Sequence, residues 1–314
     1  MSGFNLVKFD GKPLEKLIEV ISSGIGTLYR PIAIKKEARA EAYKIEVIEL
    51  AKAKALAENK LLEVETLERI EERVIHRELK RQDNIDNVVQ VAAEQISIEE
   101  EISEDPIPED WTSRFFNIVQ DISDEDMQKL WGRVLAGEVS HPNSYSYRTL
   151  EVLKNLSKND AEVFTRIANL SIYYQNSPFI FREIDQNNRD NYGFTFSDQL
   201  LLVELGLLQS EANVVRILYQ HEVDLTLYYI YGDYLIKSIK KANSPEQNFE
   251  IFLFTTIGQE LLNLLSINPI KTYIRVFMSK LEQLGLEVSY TDILKRNNDG
   301  TIAHGQWKSR ETLI

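Results

Sequence analysis

Leu14, Leu17, Ile18, Ile21, Ile25 and Leu28 recur at helical spacing near the start of the chain, and Pro31 then breaks or restarts the helix. Ser22, Ser23, Gly24 and Gly26 leave that element small-sided. From Ile32 to about Gln82 there is no Gly or Pro, and Ala, Glu, Lys, Leu and Arg dominate, which predicts one long helix. Its apolar positions follow an eleven-residue repeat: Ile34, Ile45, Leu56 and Leu67 form one row, and Ala42, Ala53, Val64 and Ile75 another. Ile48 is followed at twice that interval by Ile70. Such a repeat keeps an apolar stripe nearly straight along the helix. A helix cannot cover its own stripe, so another helix is needed, from this chain or a second copy. Self-association through a coiled coil or helical bundle is the expectation. The alternatives are a helix folded back on the body and a lone helix held by pairs such as Glu65 with Arg69.

Ile85, Val88, Val89, Ala92, Ala93 and Ile96 continue a helical face. An acidic run without bases follows, containing Glu99, Glu100, Glu101, Glu104, Asp105, Glu109 and Asp110, with Pro106 and Pro108 among them. Like charges repel and Pro stops helices, so this reads as an extended linker and a domain boundary. Trp111, Phe115, Phe116, Ile118 and Val119 then open a helix with an aromatic face. Ser123 to Asp126 has the composition of a helix start, and Ser146 and Ser157 open two more helices. After Phe179 a helix ends near Gly206. Val214–Tyr219, Leu225–Tyr231, Tyr234–Ile239 and Phe249–Phe254 read as short strands, and a helix begins at Thr255. That order resembles the latter half of a winged-helix module. The fold expected is therefore mainly α with a smaller α+β part. It comprises a short amphipathic N-terminal helix (1–31), a long charged coiled-coil-like helix (32–97) and an acidic linker (98–110). A helical bundle (111–170) and a winged-helix-like α+β module (171–314) complete it.

Charge and composition narrow the functions. The 314 residues carry 36 Lys and Arg against 49 Asp and Glu, a formal charge of -13, which repels phosphate backbones at long range. The helix Asp198–Leu208 contains no Lys or Arg, so the winged-helix-like part favours a protein partner over nucleic acid. The absence of cysteine excludes thiolate metal sites, disulfides and a Cys nucleophile. His76, His141, His221 and His304 are scattered, with no zinc-motif spacing, and no phosphate-loop or nucleophile-elbow motif occurs. No catalytic, metal or cofactor residue is assigned, and a non-enzymatic protein is expected. His141, Asn143, Tyr145 and Arg148 form the most compact polar cluster; it reads as turn chemistry, with a small polar pocket as the alternative. Met1–Asp10 has no basic start leading into a long apolar run, so no signal peptide is expected and a cytoplasmic location is. Leu17, Ile18, Ile21, Ile25 and Leu28 could instead enter a membrane surface on activation, although their helix lacks the basic polar face of an interfacial helix.

The stretch DWTSRFFNIVQDISDEDMQKLWGRVLAGEVSHPNSYSYRTLEVLKNLSKNDAEVF, from Asp110 to Phe164, resembles a bacterial domain-of-unknown-function family numbered 2806, as do IGTLYRPIAIKKEARAEA and RQDNI. That family supplies no catalytic residues to carry over. LWGRVLAGE, HPNSYS and the spaced leucines before Asp160-Ala161 are also similar to abortive-infection alpha-type proteins of phage defence. That likeness implies an antiviral role with a phage or host protein as partner. The function expected is thus a self-assembling interaction protein, a homo-oligomer. A membrane-perturbing effector and an enzyme with a pocket near His141 are the rivals.

Overall fold

The computed structural model describes residues 12–25, 50, 53, 61–96, 103–182, 192–211, 214–297 and 300–313. The chain divides into two compact units, Met1–Leu150 and Glu151–Ile314.

The first unit is helical. Its elements are α1 (Lys12–Ile25), α2 (Leu61–Ile96), α3 (Glu109–Val119) and α4 (Glu125–Ser140), and α5 (Tyr147–Asn155) carries the boundary. The apolar spacing read in α1 is its buried face: Leu17, Val20 and Ile21 are enclosed. Gly24 sits so close to the Phe116 ring of α3 that a Cβ there would overlap it. Asp124 caps α4, accepting from the N–H groups of Asp126 (3.1 Å) and Met127 (3.0 Å). This satisfies donors that the first helical turn leaves open. Among the described apolar side chains of α2, full burial is confined to the last third, where Ile85, Val88, Val89, Ala92, Ala93 and Ile96 are enclosed. A Cβ at Gly132 of α4 would fall 2.5 Å from the Cβ of Val91, so the absence of a side chain at Gly132 lets the two helices touch. Polar groups set the register of that contact. Asn87 donates to the Gln128 Oε1 (3.1 Å), and Gln128 donates to the Asn84 Oδ1 (3.1 Å). The Arg81 guanidinium meets both oxygens of Asp121, at 2.8 and 3.2 Å. Trp111 stacks on Phe115 at 5.1 Å, and Phe115 meets Trp131 edge-on at 5.5 Å, which makes the aromatic face of α3 core.

Residues 98–110 and the helices before and after them all fall in this unit. Residues 103–108 have no regular structure, but they are tied down. Ser103 N–H donates to the Ser140 carbonyl (3.0 Å), and the Lys16 ammonium reaches the carbonyl of Asp105 (3.0 Å).

The second unit combines four helices with one antiparallel sheet. In chain order the elements are α6 (Lys158–Ala168), β1 (Ser171–Tyr174), β2 (Ser177–Phe181), α7 (Phe196–Glu204) and β3 (Val215–Leu218). These are followed by β4 (Leu225–Tyr231), β5 (Tyr234–Lys240), β6 (Gln247–Leu253), α8 (Thr256–Leu262) and α9 (Lys271–Gln283). Then come β7 (Glu287–Arg296), β8 (Ile302–His304) and a 3-10 turn at Arg310–Thr312. The strand order is β3-β6-β2-β1-β4-β5-β7-β8. Gln175 and Asn176 both take positive φ (48° and 63°), the backbone a two-residue hairpin between β1 and β2 needs. Phe277 of α9 lies against Phe179 (6.2 Å), Phe181 (5.4 Å), Tyr229 (5.2 Å) and Phe249 (5.8 Å). One ring thus touches β2, β4 and β6, which requires the sheet to bend around α9. Lys240 shows how far it bends. Its ammonium, on β5, donates to the carbonyls of Leu218 (2.8 Å) and Tyr219 (2.9 Å) at the end of β3. Four strands separate β3 from β5. In a flat sheet that would put them roughly 24 Å apart, at about 4.8 Å per strand.

This architecture corrects the fold expected from the sequence. The protein is α+β, not mainly α with a coiled coil. The stripe on the described part of α2 ends against helices of its own unit. The four strands read from the sequence are not a wing: they join β1, β2, β7 and β8 in one eight-stranded sheet that curls around α9. Periodicity reports that a segment is extended; it does not report which strands it pairs with.

One ion pair of the second unit is expected to make its stability depend on pH. Asp198 accepts from the Thr195 N–H and hydroxyl (both 2.8 Å) and from the Arg166 guanidinium at 3.0 and 3.2 Å. Burial by itself would raise its pKa; the bonds from Thr195 and the Arg166 charge outweigh that and hold the carboxyl below the usual range. A depressed folded pKa adds stability above the unfolded value, near 3.9, and loses it as the pH falls through the folded one. Urea titrations should therefore find Asp198→Asn less stable than wild type at pH 7. The gap should close as the pH falls below about 4; a gap independent of pH would mean the pair does not contribute in this way.

Candidate functional site

The polar cluster His141, Asn143, Tyr145 and Arg148 is a turn organised by Glu138, a fully buried carboxylate on α4. Its Oε1 accepts from the Asn143 N–H at 2.6 Å and its Oε2 from the Tyr145 N–H at 3.0 Å. Asn143 takes a φ of 71°, the left-handed conformation that Asn tolerates better than most residues. The Trp111 indole N–H donates to the Tyr145 carbonyl at 2.7 Å, and the Tyr145 ring packs on Gly137. Tyr145 is core, whereas His141, Asn143 and Arg148 are exposed. Among the described residues no hydrogen bond or ion pair joins His141 to Arg148, so the cluster presents no paired acid and base.

The residues assigned to an assembly seam divide differently. Ile34, Ala42, Ile45, Ile48 and Leu56 lie outside the described residues, and so does the side chain of Val64. Ala53 is helical and exposed, and Ile75 is half-buried. Leu67 and Ile70 are 38% and 42% exposed, and Leu79, one turn beyond Ile75, is 38% exposed. The first part of α2 therefore presents large apolar side chains that nothing described in the chain covers. Of the residues assigned to a membrane surface, Leu17 and Ile21 are wholly buried, Ile18 and Ile25 half-buried, and Leu28 lies outside the description. Entry of α1 into lipid would first have to break its packing on α3.

Two features escaped the sequence reading. The first lies on the sheet, where the ammonium of half-buried Lys237 is 4.3 Å from the centre of the half-buried Trp307 ring. Tyr228 and His304 flank that ring at 6.4 and 4.9 Å. The second surrounds Arg216, whose guanidinium carbon sits 3.8 Å over the Tyr174 ring. The sequence does hold a signal for Arg216: a single charge within the apolar run Val214–Leu218, where a strand alternating in and out has no natural place for it. Trp307 gives none, because residues far apart in the chain make its surroundings.

Among the described residues no cluster of three metal-ligating side chains occurs, and no helix is long and apolar enough to cross a membrane. Fold and surface together define an α+β protein of two compact units whose distinctive feature is an uncovered helix stripe. The chain matches, over residues 68–278, the model of a family described as a protein of unknown function (DUF2806), and it belongs to that family. No curated protein and no solved structure matches it.

Proposed function

We propose that this protein is a self-associating interaction module, in which the uncovered first part of α2 packs against the same segment of a second copy. Leu67 and Ile70, three residues apart on one face of α2 and both exposed, carry this reading. Clustered apolar side chains of that size on one helix face gain free energy when another helix removes them from water. The charges beside the stripe favour a second copy over an unrelated partner. Glu68, Glu71 and Glu72 outnumber Arg69 and Arg73 before Val74, and Arg77, Lys80 and Arg81 outnumber Glu78 after it, a small acidic excess followed by a basic one. Two such segments running antiparallel bring each acidic end against the other's basic end, a self-complementary arrangement. A role in phage defence, with assembly coupling recognition to response, is what the resemblance of Leu130–Glu138, His141–Ser146 and the spaced leucines before Asp160 to abortive-infection alpha-type proteins would imply for such an assembly.

Light scattering on the full chain tests the reading. Leu67→Glu with Ile70→Glu changes only exposed positions, so the fold should survive, with an unaltered circular dichroism spectrum. The mass should fall from an oligomer to a single chain. An oligomer of unchanged mass, or a wild-type protein that is monomeric at high concentration, would refute the proposal.

A further inference from the structure

Three arginines of the second unit pair with carboxylates. Arg166 pairs with Asp198, Arg182 with Glu250 and Arg310 with Glu282. Arg216, Arg275 and Arg296 form no carboxylate ion pair among the described residues, and of these Arg216 is the one whose guanidinium lies over an aromatic ring. In register it stands opposite Phe249 on β6, which places it on the side of the sheet that faces α9. Its guanidinium rests on Tyr174, whose ring in turn lies 5.3 Å from that of Tyr229.

Behind it lie two further polar groups with unmet bonding capacity. The Tyr229 hydroxyl and the Ser238 hydroxyl are both buried, and neither makes a hydrogen bond among the described residues. Burial pushes the Tyr229 phenol well above its usual range, while the Arg216 charge and the nearness of Ser238 pull it down. Both groups therefore reach Tyr229 closely enough for weak hydrogen bonding that lowers its pKa, although neither contact has the geometry of a full hydrogen bond. A phenol and an alcohol buried without a well-formed hydrogen bond destabilise the fold, an arrangement native proteins rarely keep without a reason. The other cation at this end of the sheet, Lys240, is held by three carbonyls, those of Leu218, Tyr219 and Pro245. Two positive charges thus face this end of the sheet, and no carboxylate is bonded to either.

We propose that Arg216, backed by Tyr174 and the hydroxyls of Tyr229 and Ser238, is a binding site for a small oxyanion, the phosphate or carboxylate group of a ligand. The guanidinium presents parallel N–H donors that match two oxygens of such a group, and Tyr174 holds the fork in plane. A third oxygen, or a water between, accepts from the Tyr229 hydroxyl. The site belongs to the second unit and is independent of self-association through α2.

Calorimetric titration of the full chain with sodium phosphate, and separately with sodium acetate, against sodium chloride of matched ionic strength, tests the assignment. Binding is expected above the chloride baseline, and the stronger of the two arms identifies phosphate or carboxylate as the ligand chemistry. Arg216→Met should weaken it by roughly tenfold or more and Tyr229→Phe by about fivefold. Tyr229→Phe also separates a binding role from a structural one. It removes a buried hydroxyl without a well-formed hydrogen bond, so its melting temperature should stay equal or rise while anion affinity falls. Should Arg216→Met fail to fold, Arg216→Lys keeps the charge without the fork and should still bind more weakly. Absence of binding in both arms, or wild-type affinity in Arg216→Lys and Tyr229→Phe, would overturn the proposal.

Discussion

Replacing Glu138 by alanine should destabilise the first unit by about 2–4 kcal/mol. The carboxylate is fully buried and serves as acceptor for two backbone N–H groups, those of Asn143 and Tyr145. Alanine would leave both donors without an acceptor in a place water reaches poorly. The turn they belong to also supplies the Tyr145 carbonyl to the Trp111 indole, so the damage should spread to the aromatic core of α3 and α4. Glu138→Gln retains one acceptor oxygen of the same shape and should lose about half as much. Urea denaturation followed by circular dichroism, with Trp fluorescence as a second probe, measures both. A loss below 1 kcal/mol in the alanine variant would show that water replaces the carboxylate and that the turn does not depend on it.

Lys240→Met should cost the second unit a similar amount, about 2–3 kcal/mol, for a different reason. Methionine fills nearly the same volume and removes the desolvation cost of a charge that is only 2% exposed, which by itself would stabilise. Against that gain, three carbonyls lose their common donor. Hydrogen bonds to a charged group contribute more than neutral ones, so the loss should win. The tie also holds the end of β3 near β5, across a bent sheet. Hydrogen exchange should therefore quicken at the amides pairing β3 with β6, while those pairing β4 with β5 stay protected. Equal exchange at both pairs would mean that α9, and not Lys240, maintains the curl.

Much of the local structure was legible in the residues. Asp124 and Ser157 start helices where their side chains allow it, and Ser157 closes a reciprocal capping box with Asp160. β4 spans the residues expected, and β3, β5 and β6 each differ by one or two residues at an end. β1 and β2 were missed because four- and five-residue runs give too few positions for a period to register. β7 was missed because its burial does not alternate. The turn at His141 was read for its side chains, whereas its organiser is Glu138, three residues earlier and outwardly an ordinary helix carboxylate. Arg216 could have been flagged as a lone charge among apolar neighbours. Tyr174, Tyr229 and Ser238, which give it meaning, sit on three other strands.

What the sequence determined by itself is whatever depends on neighbours within a few residues: where helices begin, which of their faces is apolar, which segments are extended. Capping, backbone preference and periodicity act over that range. The tertiary structure alone decided that the strands form a single eight-stranded sheet, that the sheet bends around Phe277, and that α2 is enclosed over its last third while Leu67 and Ile70 stay exposed. Those outcomes depend on which distant surfaces meet and on what each burial gains over its alternatives, a comparison no short stretch of chain contains.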